Sequence, residues 1–399
     1  MSLRTPSSRH FRTAPLAAAL ALAVSGTVQA ADSITEALVG GKPVLDMRLR
    51  YENVDQDGIA NDADALTLRT RLGYGTGEYM GVSLFGEFED TTPVTDDDYN
   101  SGRNGKTTYP VVADPDVTAV NQAFIQYTGL SDTRLRYGLQ RVILDNARFV
   151  GNVGWRQNEQ TFQGFTLVNT SLPDTTIVYG YVTEVHTITE TRIDTRSHLV
   201  NVSYAGLPFG KLTGYGYFLD LRGPASNKTL GVRFAGKKDM DGFSLLYALE
   251  YAKQTDYKSG DGRIDADYTL IELGGSMQGI TAKVGYEVLG ADNYSGFETP
   301  LATKHAFNGW ADKFLGTPTD GLEDLYVSVG GKLAGVKLLA VYHDFSSDRG
   351  STDYGTEWDL LAVKKFGKHY SLGVKYANYN ADQFATDTTK FWLWAGVKF

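Results

Sequence analysis

From Leu45 to Glu52 apolar and polar residues alternate one for one, with Leu45, Met47, Leu49 and Tyr51 on one parity and Asp46, Arg48, Arg50 and Glu52 on the other. Successive side chains of an extended strand point to opposite faces, so this segment offers one face to an apolar phase and one to water. The next segment sets Leu66, Leu68, Leu72 and Tyr74 against Thr67, Arg69, Arg71 and Gly73, and the third sets Val82, Leu84 and Phe88 against Ser83, Glu87 and Glu89. Further segments of this kind are centred on 123–128, 134–140, 160–168, 176–183, 198–205, 211–219, 229–236, 243–252, 267–275 and 280–289. The last five are 324–332, 336–345, 357–366, 370–377 and 391–399. The pattern predicts an all-β fold, a transmembrane antiparallel β-barrel of about 18 strands, an even number as in single-chain bacterial barrels.

The connections alternate in length. Residues 75–77, 129–132, 206–209, 237–241, 334–335 and 367–369 are brief, while 55–64, 91–118, 142–159, 184–196, 255–263 and 291–322 are long. Short periplasmic turns and long outer loops have this phase, which a sandwich or propeller has no reason to keep. It predicts that the start of the first strand and Phe399 lie together on the periplasmic side. Tyr74, Tyr79, Tyr127, Phe366 and Tyr370 fall near strand ends on that side, where an interfacial aromatic girdle belongs.

The ends of the chain change the picture from a barrel to an exported one. Arg4, Arg9 and Arg12 precede an apolar run from Ala14 to Val24 and the small residues up to Ala30, the order of a secretory signal peptide cut before Ala31. We therefore read residues 1–30 as signal peptide and 31–399 as one outer-membrane barrel of a Gram-negative cell. The final strand, with Phe391, Leu393, Ala395, Val397 and Phe399 on one face, has the form by which the barrel-assembly machinery recognises its clients. Outer-membrane lipid is the other expected partner.

Composition agrees. The chain holds 24 Tyr, 19 Phe and 44 Gly but only 11 Pro, as many amphipathic strands joined by polar turns require. No later run approaches the roughly 18 apolar residues of a membrane helix. The formal charge of -9 becomes -12 once the three leader arginines are removed, which argues against nucleic acid as a partner. With no cysteine, disulfides, thiol catalysis and a lipid-anchor cysteine are excluded.

Chemistry then concentrates on the polar parity. Arg48, Arg50, Arg69 and Arg71 fall on the inner face of two adjacent strands, and Arg134 and Arg136 with Gln140 on that of another. Guanidinium stays charged at any working pH and binds carboxylate in bidentate fashion, so such a wall favours anionic solutes. Glu87 and Glu89 share the inner face, and ion pairs that merely stiffen the barrel are the competing reading.

The segments Thr67–Tyr74, Asn104–Asp114, Leu139–Gln160 and Thr299–Asp312 resemble the alginate-export-type porins. That resemblance implies an 18-stranded, monomeric barrel with an arginine-rich passage for an acidic polysaccharide. Residue by residue, Arg69, Arg71, Arg136, Gln140 and Arg141 match the basic strand motifs, and Arg148, Arg156, Asn158 and Glu159 match the loop after them. Where relatives read Gly-Arg-Gln-Arg, this chain has Gly138-Leu139-Gln140-Arg141, one guanidinium fewer.

A channel for small or anionic solutes, with no catalytic residues, is thus the expected function; a closed-lumen barrel acting as enzyme or adhesion protein is the alternative. His186, His198, His305, His343 and His369 are scattered, with no motif pairing one to an activated serine. No cofactor is expected except calcium: Asn53, Asp55, Asp57, Asn61 and Asp64 take the oxygen-ligand spacing of a calcium loop around Gly58, against an acidic hairpin turn as the simpler reading. Asp96, Asp97 and Asp98 read as a solvated loop, and Trp155, His305, Phe307 and Trp310 as aromatics packing one long loop on another.

Overall fold

The computed structural model describes residues 31–96, 98–292 and 295–399; the signal peptide read at 1–30 lies outside the described residues, as does Asp97. The alternating segments become strands β1 (Lys42–Gln56), β2 (Ala63–Gly75), β3 (Val82–Pro93), β4 (Val117–Leu130), β5 (Thr133–Gln140) and β6 (Thr161–Asn169). They continue as β7 (Thr175–His186), β8 (Arg192–Leu207), β9 (Gly210–Leu219), β10 (Asn227–Asp239), β11 (Ser244–Asp256) and β12 (Asp265–Met277). The remainder are β13 (Ile280–Leu289), β14 (Leu322–Leu333), β15 (Val336–Ser346), β16 (Asp353–Phe366), β17 (Tyr370–Ala381) and β18 (Thr388–Lys398). Each pairs antiparallel with its neighbour in the chain, and β1 pairs with both β2 and β18, so the 18-stranded sheet closes and leaves no edge.

Both ends meet at closure, where Leu45 and Phe399 exchange backbone hydrogen bonds of 3.3 and 2.8 Å. Two-residue turns tighten the periplasmic side: Gln278-Gly279 and Ala334-Gly335 have positive φ at both positions, the turn type whose twist matches the flanking strands. The apolar parity faces outward as expected, with Leu84, Phe88, Tyr137, Ile271 and Leu393 exposed to the surrounding phase. Leu273 and Val284 belong to the same belt. The strands extend further toward the outer mouth than the apolar alternation does, because pairing continues above the lipid band.

One element carried no sequence signal. Ile34–Val39 forms a six-residue helix, capped by Ser33 and held to the periplasmic rim by Tyr74, whose hydroxyl donates to the Leu38 carbonyl at 2.5 Å.

Candidate functional site

The inner parity of β1 and β2 sets Arg48 directly opposite Arg69, with Arg50 and Arg71 one step away on their own strands. Like charges facing across a ladder repel. Here the repulsion is offset by a loop, residues 141–160, that folds into the barrel and turns its carbonyls to the wall. Arg48 donates to the carbonyls of Trp155 at 2.7 Å and Arg156 at 2.6 Å and to the Gln157 side chain at 2.9 Å. Arg50 donates to the Trp155 carbonyl and pairs with Asp114. Arg71 pairs with Glu89 and reaches Glu159 at 3.5 Å, and Arg69 pairs with Asp46. Asp145, Ala147 and Val153 take the left-handed conformation that lets the loop reverse within a few residues.

Acidic neighbours hold the same loop. A register shift between Glu87 and Phe88 brings Asn121 and Gln122, adjacent in β4, both inward, and both donate to Glu87, at 2.7 and 3.0 Å. Asn121 also donates to Glu159 at 2.7 Å, and Arg141 closes on Glu159 through Nε at 2.6 Å. Burial would raise the Glu159 carboxyl, but the Arg141 hydrogen bond and the charge of Arg71 bring it down to about 2. Thr91 donates to Asn158 at 2.9 Å, and Arg156 reaches Glu52 at 3.0 Å. Arg148 crosses the lumen to Glu287 at 2.7 Å.

The second infolded loop, described over 295–321, meets the first. Gly151 donates to the Leu301 carbonyl at 2.9 Å, Val153 to the Thr303 hydroxyl at 3.0 Å, and Arg156 to Asp312 at 3.1 Å. Far-wall carboxylates then fix this loop by its backbone: Trp310 N–H donates to Asp359 at 3.1 Å and Ala311 N–H to Glu357 at 2.7 Å. Lys375 on β17 locks the two loops together. Its ammonium lies 3.6 Å from the Trp310 ring and 4.4 Å from that of Trp155, and it donates to His305 Nε2 at 2.7 Å. That bond leaves the imidazole proton on Nδ1, which Asp312 accepts at 2.6 Å. Burial brings the His305 pKa down to about 3 against the pull of Asp312, so the ring is neutral at working pH.

Two cavities flank the loops. The outer one, about 490 Å³, is lined by Arg156, Lys304, Lys313 and Lys390 together with Val111 and Leu315. The periplasmic one, about 710 Å³, is lined by Arg233, Lys283, Lys332 and Lys337 with Glu272 and Glu287. Lys332 and Lys337 face each other across β14 and β15, and no carboxylate pairs with either among the described residues.

The site residues read from sequence therefore divide. Arg50, Arg69 and Arg71 are at most 5% exposed and spend their charge on the loop or its supports. Arg48 is half-buried with its donors taken. Gln140 bridges β5 and β6, donating to the Gly164 carbonyl at 3.2 Å and accepting from Thr166 at 2.7 Å. Arg136 donates to Gln126 at 2.8 Å over the Phe124 ring, and Arg134 is exposed at the periplasmic end. The residues with calcium-loop spacing lie at the β1–β2 hairpin: Asn53 pairs in register with Asp64 and donates to it at 3.3 Å, Asn61 donates to the Thr108 carbonyl at 3.2 Å, and Asp55 and Asp57 are exposed. Among the described residues no three His, Cys, Asp or Glu converge to hold a metal. Sequence reasoning missed Lys304, Lys313, Lys332, Lys337, Lys375 and Lys390. Inward parity beside Trp392 and Trp394 was a signal for Lys390, but nothing in the order of residues marked the loop lysines.

A closed 18-stranded antiparallel barrel with infolded loops is a porin-like outer-membrane fold. The chain belongs to the alginate export family, whose model matches residues 44–290. In fold it is similar to Acinetobacter baumannii OccAB4, with a TM-score of 0.73 and 14% identity over 90% of this chain and 98% of that one. It is likewise similar to Pseudomonas aeruginosa OccK1 (OpdK), with a TM-score of 0.71 and 16% identity over 91% and 99%. A structure of OpdK with vanillate matches at a TM-score of 0.71 and 15% identity, over 91% of this chain and 99% of that one. No curated protein matches the sequence.

Proposed function

We propose that this protein is a passive outer-membrane channel for small anions, with the two infolded loops as its constriction. The observation that carries the reading is the distribution of cations outside ion pairs: Lys304 and Lys313 on the outer side and Lys332 and Lys337 on the periplasmic side line the two cavities and make no ion pair among the described residues. Local charge along a passage, more than total charge, sets its selectivity, so a chain whose net charge goes from -9 to -12 without the three arginines of its leader still favours anions. Cleavage of the leader after Ala30 and recognition of the Phe391–Phe399 strand by the barrel-assembly machinery complete the reading, and the channel works as a monomer in lipid without a catalytic role. Cavities of about 490 and 710 Å³ suit a single small solute. The family match favours a second reading, passage of an acidic polysaccharide such as alginate, which requires the loops to separate.

Reversal potentials across a KCl gradient in planar bilayers test this. Chloride preference is expected, increasing at low salt. Cation preference would refute the proposal, and an unmodified channel that passes alginate oligomers as readily as chloride would replace it by the second reading.

A further inference from the structure

The lining of the outer cavity is of two kinds, cationic and apolar. Lys304, Lys313 and Lys390 line it together with Val111, Ile188, Pro300 and Leu315. Val111 is 53% exposed and Leu315 41%, and both belong to loops over the mouth, not to the lipid-facing parity of any strand. An exposed apolar surface facing water inside a passage is the informative exception to burial, because it stays wet until a ligand covers it. Among the cations, Lys390 is already met by Asp312 at 2.7 Å. Lys304 and Lys313, both half-buried, have no ion pair among the described residues. Lys313 shows the cost of that arrangement, since burial and the nearby charge of Lys390 bring its pKa down to about 8.

We propose that this outer cavity is a binding station for an organic carboxylate with an apolar body, such as an aromatic or alicyclic acid, in preference to a sugar acid. The carboxylate would be drawn to the cavity by Lys304 and Lys313, and the ring would cover the apolar lining of Val111, Ile188, Pro300 and Leu315. A sugar acid presents hydroxyls on all sides, and against that lining they lose water without gaining a partner, a loss the lysines do not restore. A cavity of about 490 Å³ is of the size that small-molecule sites take. The inference rests on the anion-channel reading and narrows it.

The test is block of chloride current in planar bilayers by benzoate, cyclohexanecarboxylate or glucuronate added to the outer side of the full-length channel. Half-block is expected at a concentration about tenfold lower for benzoate and cyclohexanecarboxylate than for glucuronate. The double variant Val111→Thr, Leu315→Gln should raise the benzoate concentration about tenfold and leave glucuronate unchanged, whereas Lys304→Gln, Lys313→Gln should weaken both. Heat-modifiable gel mobility confirms that each variant retains its barrel. Equal block by benzoate and glucuronate in a chloride-selective channel, or a benzoate preference that survives Val111→Thr, Leu315→Gln, overturns the inference alone. A channel without chloride preference that still shows the benzoate preference overturns the anion reading and leaves the site standing.

Discussion

Arg156, in the loop after β5, and Asp312, in the loop before β14, meet at 3.1 Å inside the barrel. Neither side chain belongs to a strand, and the contact joins two loops that start on opposite parts of the wall. Asp312 also accepts from Lys390 at 2.7 Å and from His305 at 2.6 Å, so one carboxylate ties both loops to β18. The constriction is therefore a small folded unit within the lumen, held mainly by buried charge pairs.

Replacing Asp312 by Asn should open that unit. Arg156 and Lys390 would keep their burial and lose their common counter-charge, a change of roughly 3–5 kcal/mol for breaking one side of a buried pair. Faster amide exchange over 141–160 and 297–321, with larger and noisier single-channel conductance and unchanged exchange in the strands, is the expected result. Unaltered exchange in both loops would show that the other anchors suffice.

Selectivity should follow the unpaired lysines and not the arginine wall. Arg69 and Arg71 are paired with Asp46 and Glu89, so neutralising both pairs together (Arg69→Gln with Asp46→Asn, Arg71→Gln with Glu89→Gln) should lower thermal stability and leave the K⁺/Cl⁻ permeability ratio nearly unchanged. Changing Lys332 and Lys337 to Gln should shift the ratio toward cations, more strongly at 0.01 M salt, where the Debye length is ~30 Å, than at 0.1 M, where it is ~10 Å. A larger shift from the arginine pair than from the lysine pair would restore the wall as the selective element.

Chloride preference should also fall on the alkaline side. Lys313 is pulled to about 8 by burial and by Lys390, so it carries its charge below that pH and loses it above. The permeability ratio should step toward cations between pH 7 and pH 9, around that pKa. Lys313→Gln should remove the step, and a variant that keeps it would assign the titration to another group.

Acid should leave the first loop in place. Glu159 is held at about 2 in the fold, against an ordinary value of about 4.3. A depressed carboxyl stabilises the fold fully above its unfolded pKa, and the contribution is lost only as pH falls through the folded value. An acid-active protease should therefore not cut near Arg141 in the native channel at about pH 3. Glu159→Gln should expose that site already at neutral pH, as trypsin cleavage would show.

The barrel was legible in the sequence because its cause is local. A strand between lipid and water needs alternation residue by residue, and Leu45 to Glu52 or Phe391 to Phe399 carry it within eight or nine positions. Strand number, the phase of turns and loops, and closure of the ends on the periplasmic side all follow from that local pattern. The family was also readable, in segments that the family match spans only in part, since Thr299–Asp312 lies beyond residues 44–290.

What the alternation determined was which side chains face inward, Arg48, Arg50, Arg69 and Arg71 among them. Whether an inward arginine meets a solute depends on what fills the space in front of it, and only the tertiary structure decided that. The 141–160 loop brings carbonyl oxygens to Arg48 and Arg50 from more than a hundred residues away, and Asp312 comes from still further to Arg156. Loops have no periodicity to betray their path, because their backbone is fixed by individual partners and not by a repeating face. For the same reason Lys304 and Lys313 look like any loop lysines in the sequence, and become charges without an ion pair only where the infolded loop half-buries them, Lys304 near Glu298 and Arg148 and Lys313 near Lys390.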